Sequence, residues 1–259
     1  DYDPVLAHGA PLLPSLEELP SVTADRLDRR RSLLEQFDTR LRGIDKNGSV
    51  DGMTKFQQQV FGLLTSPKTR AAFDLSKEPQ SVRDRYGDNL WGNSTLVARK
   101  LVEAGSTFVT VNWEAQRGGH WDLHGNTFGM LRGHLPVLGA MVTALVSDLK
   151  SSGLLDTTLV VVMGEMGRTP RINAKAGRDH WPLANSALLA GGGMRTGQVI
   201  GSTNRLGEVP ADRPVHYREV FSTLYHSLGI DARNTTVEDL TGRPMSLVDP
   251  EHAPMKELV

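Results

Sequence analysis

Apolar positions in the first third of the chain recur at helical spacing and predict a series of helices. From Ser21 onward, leucine and phenylalanine fall three or four positions apart between charged residues, as on the buried face of a helix. Thr23 is a suitable N-cap and Gly43 a suitable end for this first helix. The same spacing predicts further helices over residues 53–64, 68–73 and 79–86. We therefore interpret residues 1–92 as a helical lead-in or cap segment.

The pattern changes near Asn93, where strand-like and helix-like runs alternate. A β-branched run at residues 107–112 and an apolar run at residues 158–163 predict strands, and the periodic stretch at residues 127–151 predicts a helix between them. Strand, helix and strand in this order are typical of a parallel sheet. Further predicted elements are a helix over residues 93–104, a strand over residues 186–190 and a helix over residues 217–228. The sequence thus predicts an α/β domain over residues 93–259, with a mostly parallel sheet.

Composition excludes several classes of function. The chain has 259 residues with a formal net charge of −1, and basic and acidic residues are interleaved, so no nucleic-acid surface is predicted. The absence of cysteine excludes thiolate metal ligands and a cysteine nucleophile. No apolar run predicts a membrane span. The first residue is Asp1 rather than methionine, which suggests a processed product or an artificially trimmed chain.

The first segment that could carry chemistry follows the predicted strand at residues 107–112. Its sequence, GGHWDLHGN, places His120, Asp122 and His124 at alternating positions of a glycine-flanked loop. In an extended loop these side chains can point the same way, and imidazole nitrogens with a carboxylate oxygen suit a divalent metal. The alternative is a solvated loop whose histidines and aspartate make local turn hydrogen bonds.

Two more polar segments come later in the chain. GEMGRTP follows the predicted strand at residues 158–163 and carries Glu165, where a parallel sheet delivers ligands, and Arg168, which can hold a phosphate, sulfate or carboxylate. GRDHWP carries Arg178, Asp179 and His180, which again combine metal-ligand groups with a cation. A loop-closing ion pair and a structural Asp–His pair are the respective alternatives. Three such segments on loops at strand ends favour one shared site.

These motifs together resemble the DUF1501 family of sulfatase-like proteins, which is assigned to the alkaline phosphatase superfamily. The matching runs are AFDLSKEPQSVRDRYG, LVARKLVEAG, WDLHGN, GEMGRTPRIN, GRDHWP, AGGGMRTGQVIG and GRPM. The resemblance implies an alkaline phosphatase-like fold, a three-layer αβα sandwich with metal at the carboxyl edge of its sheet. It also implies hydrolysis of phosphate or sulfate esters with two cations and a serine, threonine or formylglycine nucleophile.

The resemblance also assigns roles to individual residues. By chain order, Asp122 and His124 resemble the ligands of one metal, and His180 resembles the late histidine of that site. Asp179 is expected among the metal-binding residues, and Glu165 is expected as a metal ligand or general base. The metal itself is expected to be zinc, manganese, calcium or magnesium.

Other positions depart from the family pattern or complete it. Met166 stands where the superfamily often has the histidine of an Asp–His pair, which puts a second metal in doubt. Arg168 and Arg178 are expected to hold the anion of the substrate. The nucleophile expected in the N-terminal half is not found in this sequence, so the chain resembles the C-terminal portion of a longer protein.

The expected function is therefore that of a metal-dependent hydrolase acting on an anionic sulfate or phosphate ester, such as a sulfated polysaccharide. One alternative is a non-catalytic relative that binds a carbohydrate or protein partner, and another is a purely structural domain. The resemblance implies a periplasmic or secreted location. No sequence pattern indicates the oligomeric state.

Overall fold

Capped helices with apolar faces make up the described part of the first unit. The computed structural model describes residues 66–113 and 121–259, and the chain divides into two units, Asp1–Trp113 and Glu114–Val259. The helices of the first unit are α1 (Pro67–Phe73), α2 (Gln80–Tyr86) and α3 (Leu90–Glu103), with a 3₁₀ turn at Leu75–Lys77. The helices predicted over residues 68–73, 79–86 and 93–104 are thus confirmed. Those predicted over residues 23–43 and 53–64 lie outside the described residues.

Helix α3 begins immediately after α2 because the junction provides a cap for α3 and a glycine that lets the two helix backbones approach closely. The Asn89 side chain accepts a hydrogen bond from the Gly92 amide at 2.9 Å, which caps α3. A Cβ on Gly92 would lie 2.1 Å from the carbonyl oxygen of Tyr86, so only glycine fits there. Tyr86 and Leu96 are fully buried between the packed helices. Helix α3 runs through the domain boundary predicted between residues 92 and 93.

The second unit combines one long helix with four two-stranded sheets. Helix α4 (Thr127–Ser151) is followed by a 3₁₀ turn (Leu155–Thr157), and helix α5 (Tyr217–Ser227) comes near the end. The strands are β1 (Leu159–Met163), β2 (Gly167–Arg168), β3 (His180–Trp181), β4 (Ala187–Gly191), β5 (Ser202–Thr203), β6 (Pro210–Asp212), β7 (Thr236–Glu238) and β8 (Pro244–Ser246). Within the described residues, each strand pairs with a single partner, as β1–β4, β2–β3, β5–β6 and β7–β8.

The predicted fold class, a mostly parallel αβα sandwich of the alkaline phosphatase type, is wrong. Every described strand pair is antiparallel, including β1 with β4, where Leu159 faces Gly191 and Met163 faces Ala187. The segment between β1 and β4 holds the β2–β3 hairpin and no helix, whereas parallel strands need a long crossover, usually a helix. The strand predicted at residues 107–112 is irregular in structure, with Phe108 63% exposed. A β-branched run forms a strand only where a partner strand is available.

Helix α4 is apolar and largely uncovered in its own unit. It is long and apolar enough to cross a membrane by length and composition alone, with a mean hydropathy of 1.3 and 11% of the window buried. One such helix is weak support for a span, because the core helix of a soluble protein passes the same test. The buried positions of α4 are few and include Met141, Ala144 and Leu149.

The C-terminal segment is anchored to the start of α5. Arg213 holds both oxygens of Glu257, at 2.7 and 3.1 Å, and also contacts Glu219 in the first turn of α5 at 3.0 Å. Beneath this network, Val220, Met255 and Leu258 form a buried apolar cluster. Polar contacts at the surface and apolar burial below therefore fix the last residues on the helix.

Candidate metal site

A short hairpin brings two of the predicted site residues to the same face. In the β2–β3 pair, Arg168 lies directly opposite His180 and Gly167 opposite Trp181. Directly opposed residues of an antiparallel pair share one face. The hairpin is closely packed at its base, because a Cβ on Gly167 would lie 1.7 Å from the carbonyl oxygen of Ala184. The Arg168 and His180 side chains consequently converge on the same point.

The loop before α4 is held against the loop that leads into β3. The first backbone amides of α4 have no partner inside the helix. Here the amides of Asn126 and Thr127 donate to the carbonyl oxygens of Lys175 and Ala176 at 3.0 and 2.9 Å. At Gly177 the two loops approach so closely that a Cβ would lie 2.1 Å from the carbonyl carbon of His124. This packing places the 121–126 loop beside His180.

Three ligand atoms from these elements form a compact triangle. Asp122 Oδ1 lies 3.0 Å from His124 Nε2 and 2.8 Å from His180 Nε2, and the two imidazole nitrogens are 3.3 Å apart. Each of the three side chains is about half exposed, at 50, 47 and 50%. Within the described residues, this is the group of histidine and acidic side chains with the spacing of a metal site.

Asp179 lies on the other side of the His124 ring and determines its tautomer. Its Oδ1 is 2.8 Å from His124 Nδ1. A carboxylate only accepts hydrogen bonds, so Nδ1 carries the proton and the neutral ring presents a lone pair at Nε2. A carboxylate behind the ring is the arrangement that orients metal-binding histidines. Hydrogen bonds from His124 and Asn173 also lower the pKa of Asp179. Asp179 is therefore placed to orient the His124 ring, and its predicted role as a metal ligand stays a prediction.

The triangle has the composition and spacing of a cation site. With His124 neutral, its Nε2 lone pair faces the Asp122 carboxylate at 3.0 Å, an approach of two acceptors. His180 can supply one proton, to Asp122 or to His124 but not to both. A metal ion among the three atoms would remove the remaining repulsion.

The distances fit a transition-metal ion. Bonds of about 2.1 Å are typical of zinc with nitrogen and oxygen ligands. The edges of 2.8 to 3.3 Å approach the ~3.4 Å of a regular tetrahedron with such bonds. Two imidazoles favour zinc or manganese over calcium and magnesium, which prefer oxygen ligands. Three protein ligands leave coordination positions open to solvent.

Arg168 supports the carboxylate of the triangle. Its Nη2 lies 2.6 Å from Asp122 Oδ1 and donates to the Trp121 carbonyl oxygen at 3.2 Å. Hydrogen bonds from His180 first and Arg168 second lower the pKa of Asp122 to about 2. Asp122 is therefore ionised, as a metal ligand must be. Arg168 was predicted to hold the anion of the substrate. In the structure its guanidinium contacts the Asp122 carboxylate, and its role towards a substrate stays a prediction.

The other predicted residues lie apart from the triangle or serve the loop. Arg178 Nη1 donates to the carbonyl oxygens of Thr169 and Pro170, both at 2.6 Å. These hydrogen bonds stabilise the loop that follows β2. Glu165 lies exposed between β1 and β2 and is outside the group with metal-site spacing. His120 lies outside the described residues. The predicted roles of Glu165 and Arg178 in binding metal or anion stay predictions.

Asn173 organises the site and was not singled out from the sequence. Its Nδ2 donates to Asp179 Oδ1 at 3.2 Å and to the His124 carbonyl oxygen at 3.1 Å. Its Oδ1 accepts from the amides of Lys175 and Gly177 at 3.0 and 2.9 Å. An asparagine two to four residues before a glycine in a polar loop is a signal for such a turn. Asn173 therefore connects the Asp179 carboxylate to the backbone at His124 and at Gly177.

Comparison with known proteins gives a family and no activity. The chain matches the family described as "Protein of unknown function (DUF1501)" over residues 4–259. Neither the curated proteins nor the solved structures include a match to it.

Proposed function

The chain belongs to the DUF1501 family, and from that premise we propose that it is a metal-dependent hydrolase of sulfate or phosphate esters. The observation that supports this most directly is the triangle of Asp122 Oδ1, His124 Nε2 and His180 Nε2, with Asp179 behind His124. The motifs resemble those of sulfatase-like proteins, and this resemblance supports the choice of ester.

In this proposal Asp122, His124 and His180 hold one zinc or manganese ion. The ion would act as a Lewis acid on the ester oxygens and on water in the open coordination positions. Asp179 keeps His124 in the binding tautomer, and Arg168 keeps Asp122 ionised. Hydrolysis adds water across the ester bond and releases an alcohol together with inorganic sulfate or phosphate.

The charge of the site supports an anionic substrate. Two carboxylates and the Arg168 guanidinium leave one net negative charge when both imidazoles are neutral. A divalent ion changes this to one net positive charge. The loaded site therefore attracts sulfate and phosphate esters, whose charge lies on oxygens that a cation stabilises.

The test is the metal content of the purified chain, measured by elemental analysis. We expect about one zinc or manganese per chain, lost in His124→Ala/His180→Ala and retained in His226→Ala. His226 is an exposed histidine of α5 and serves as the matched control. A wild-type chain that takes up no metal contradicts the proposal.

A screen with sulfate and phosphate esters follows the metal measurement. Turnover that requires the metal and disappears in the double variant supports hydrolysis. Bound metal without turnover of any ester favours the alternative, a non-catalytic relative that binds a carbohydrate or protein partner. The two measurements therefore separate the metal site from the reaction.

A further inference from the structure

An open pocket of about 390 Å³ lies next to Asp179, the residue that contacts His124 of the candidate metal site. Asp179 belongs to both, since its carboxylate holds His124 and also lines the pocket. Its volume falls in the range of pockets that bind small molecules. The lining residues are Thr169, Arg171, Ile172, Asn173, Ala174 and Asp179.

Arg171 gives this pocket a positive charge that is available to a ligand. The two neighbouring arginines are engaged, Arg168 with Asp122 and Arg178 with backbone carbonyl oxygens. Arg171 is exposed, and within residues 66–113 and 121–259 its guanidinium has no hydrogen bond or ion pair. An exposed guanidinium without such contacts can bind a carboxylate, sulfate or phosphate through two parallel hydrogen bonds.

We propose that this pocket binds a second anionic group of the substrate and that Arg171 is the residue that recognises it. The substrate class is then a sulfate or phosphate ester whose alcohol part carries another negative group. The inference rests on the proposed function, because the metal at Asp122, His124 and His180 would hold the reacting ester. Arg171 acts on the part of the substrate that does not react.

The loop that presents Arg171 is already fixed. Arg178 braces the carbonyl oxygens of Thr169 and Pro170, and the Thr169 hydroxyl donates to the Arg171 carbonyl oxygen at 2.9 Å. Asn173 closes the other end of the loop through the Lys175 amide at 3.0 Å. A loop held in its binding conformation loses little entropy when a ligand binds.

The rest of the lining fits the body of such a substrate. Ile172 is 42% exposed and provides an apolar wall for a ring. The Asp179 carboxylate would repel an anion, but hydrogen bonds from His124 and Asn173 spread its charge. Negative ligands are thus favoured at the Arg171 end of the pocket and apolar groups along Ile172.

The test compares two esters of nearly the same shape that differ in one charge. These are 4-carboxyphenyl sulfate and 4-nitrophenyl sulfate, with the corresponding phosphates in parallel, and their Kd is measured by calorimetry. We expect the wild-type chain to bind the carboxyphenyl ester about fivefold more tightly, as for a partly exposed ion pair. This preference should disappear in Arg171→Gln and persist in Lys175→Gln. Lys175 is an exposed cation of the same loop that does not line the pocket.

Each outcome decides the assignment. A preference that survives in Arg171→Gln, that falls equally in Lys175→Gln, or that is absent from the wild-type chain overturns it, and so does a wild-type chain that binds neither ester. Metal content and turnover are measured on the same samples. If the wild-type chain lacks metal or turnover but still binds the carboxyphenyl ester more tightly, only the proposed function is contradicted. The pocket then still discriminates between the two esters.

Discussion

At the scale of single residues, the site is defined by hydrogen bonds that assign one role to each polar group. Arg168 donates to Asp122 Oδ1, and the Nε2 atoms of His124 and His180 lie 3.0 and 2.8 Å from the same oxygen. Asp179 lies at 2.8 Å from Nδ1 of His124, on the side of the ring away from the triangle. In the proposed metal site the two aspartates therefore have different roles, Asp122 as a ligand and Asp179 as the group that orients His124.

Removing the Asp179 carboxylate should weaken metal binding without removing a ligand. We expect Asp179→Ala to lower zinc or manganese affinity by about 10- to 100-fold, the usual effect of losing the partner behind a metal-binding histidine. Asp179→Asn keeps an acceptor and should have a smaller effect. The measurement is a competition titration with a metal-binding dye, with exposed Asp212→Ala as control. Equal affinity of Asp179→Ala and wild-type chains would show that Asp179 does not position His124.

Adding a methyl group at Gly177 should separate the two loops of the site. A Cβ there would lie 2.1 Å from the carbonyl carbon of His124 and 2.3 Å from the Gly125 amide nitrogen, and both are backbone atoms that cannot rotate away. We expect Gly177→Ala to lose more than about tenfold in metal affinity, since the ligands must be held to within about 0.5 Å. Gly133→Ala in α4 is the control, because its Cβ would meet nothing within 4 Å. Unchanged metal affinity in Gly177→Ala would mean that the loops do not pack in this way.

At the scale of elements, the C-terminal segment and the start of α5 are joined by charge. Arg213 contacts Glu257 at 2.7 Å and Glu219 at 3.0 Å. The hydrogen bonds from Arg213 lower the pKa of Glu257 to about 2 from an ordinary value of 4.5. The contact between Arg213 and Glu257 therefore contributes to stability only while Glu257 is ionised.

This network makes the stability of the second unit depend on pH. The folded-state pKa of Glu257 is below the unfolded value, so its contribution is fully present above about pH 4.5 and is lost as the pH falls towards 2. We expect Glu257→Gln to lower the Tm at pH 7, with the difference from wild type shrinking between pH 4.5 and 2. Thermal unfolding followed by circular dichroism at several pH values measures this, and Glu251→Gln serves as the exposed control. A difference that stays constant over this range would exclude the ion pair as its cause.

At the scale of the whole molecule, the candidate metal links segments that are distant along the chain. Asp122 and His124 precede α4, whereas His180 lies in β3, beyond the whole of α4 and β1. A ligand that binds only the folded state stabilises it by mass action. Metal binding and folding of the second unit should therefore be coupled.

Thermal unfolding with and without metal tests this coupling. At a metal concentration of about 100 times Kd, the folded state gains about 2.7 kcal/mol, which corresponds to a rise in Tm of roughly 5–10 °C. The rise should reverse with a chelator and be absent in His124→Ala/His180→Ala. An equal rise in the double variant would place the metal elsewhere in the chain.

The sequence by itself determined the local features of this protein. Helices α3, α4 and α5 follow from apolar spacing and end signals, since these act between residues a few positions apart. The three polar segments that contain Asp122, Arg168 and His180 could be found because imidazole, carboxylate and guanidinium groups cluster within a few positions. Their position on loops at predicted strand ends also favoured one shared site, whereas the division of roles among the residues could not be predicted.

The tertiary structure decided strand pairing and the role of each polar group. The run at Leu159–Met163 shows strand propensity, but its antiparallel partner, Ala187–Gly191, depends on how the intervening chain returns, which no local pattern encodes. Asp179 and Asp122 are equivalent as sequence symbols, and their roles differ because one lies at Nδ1 and the other at Nε2 of the same ring. Arg178 and Asn173 bind backbone atoms whose positions exist only in the folded chain.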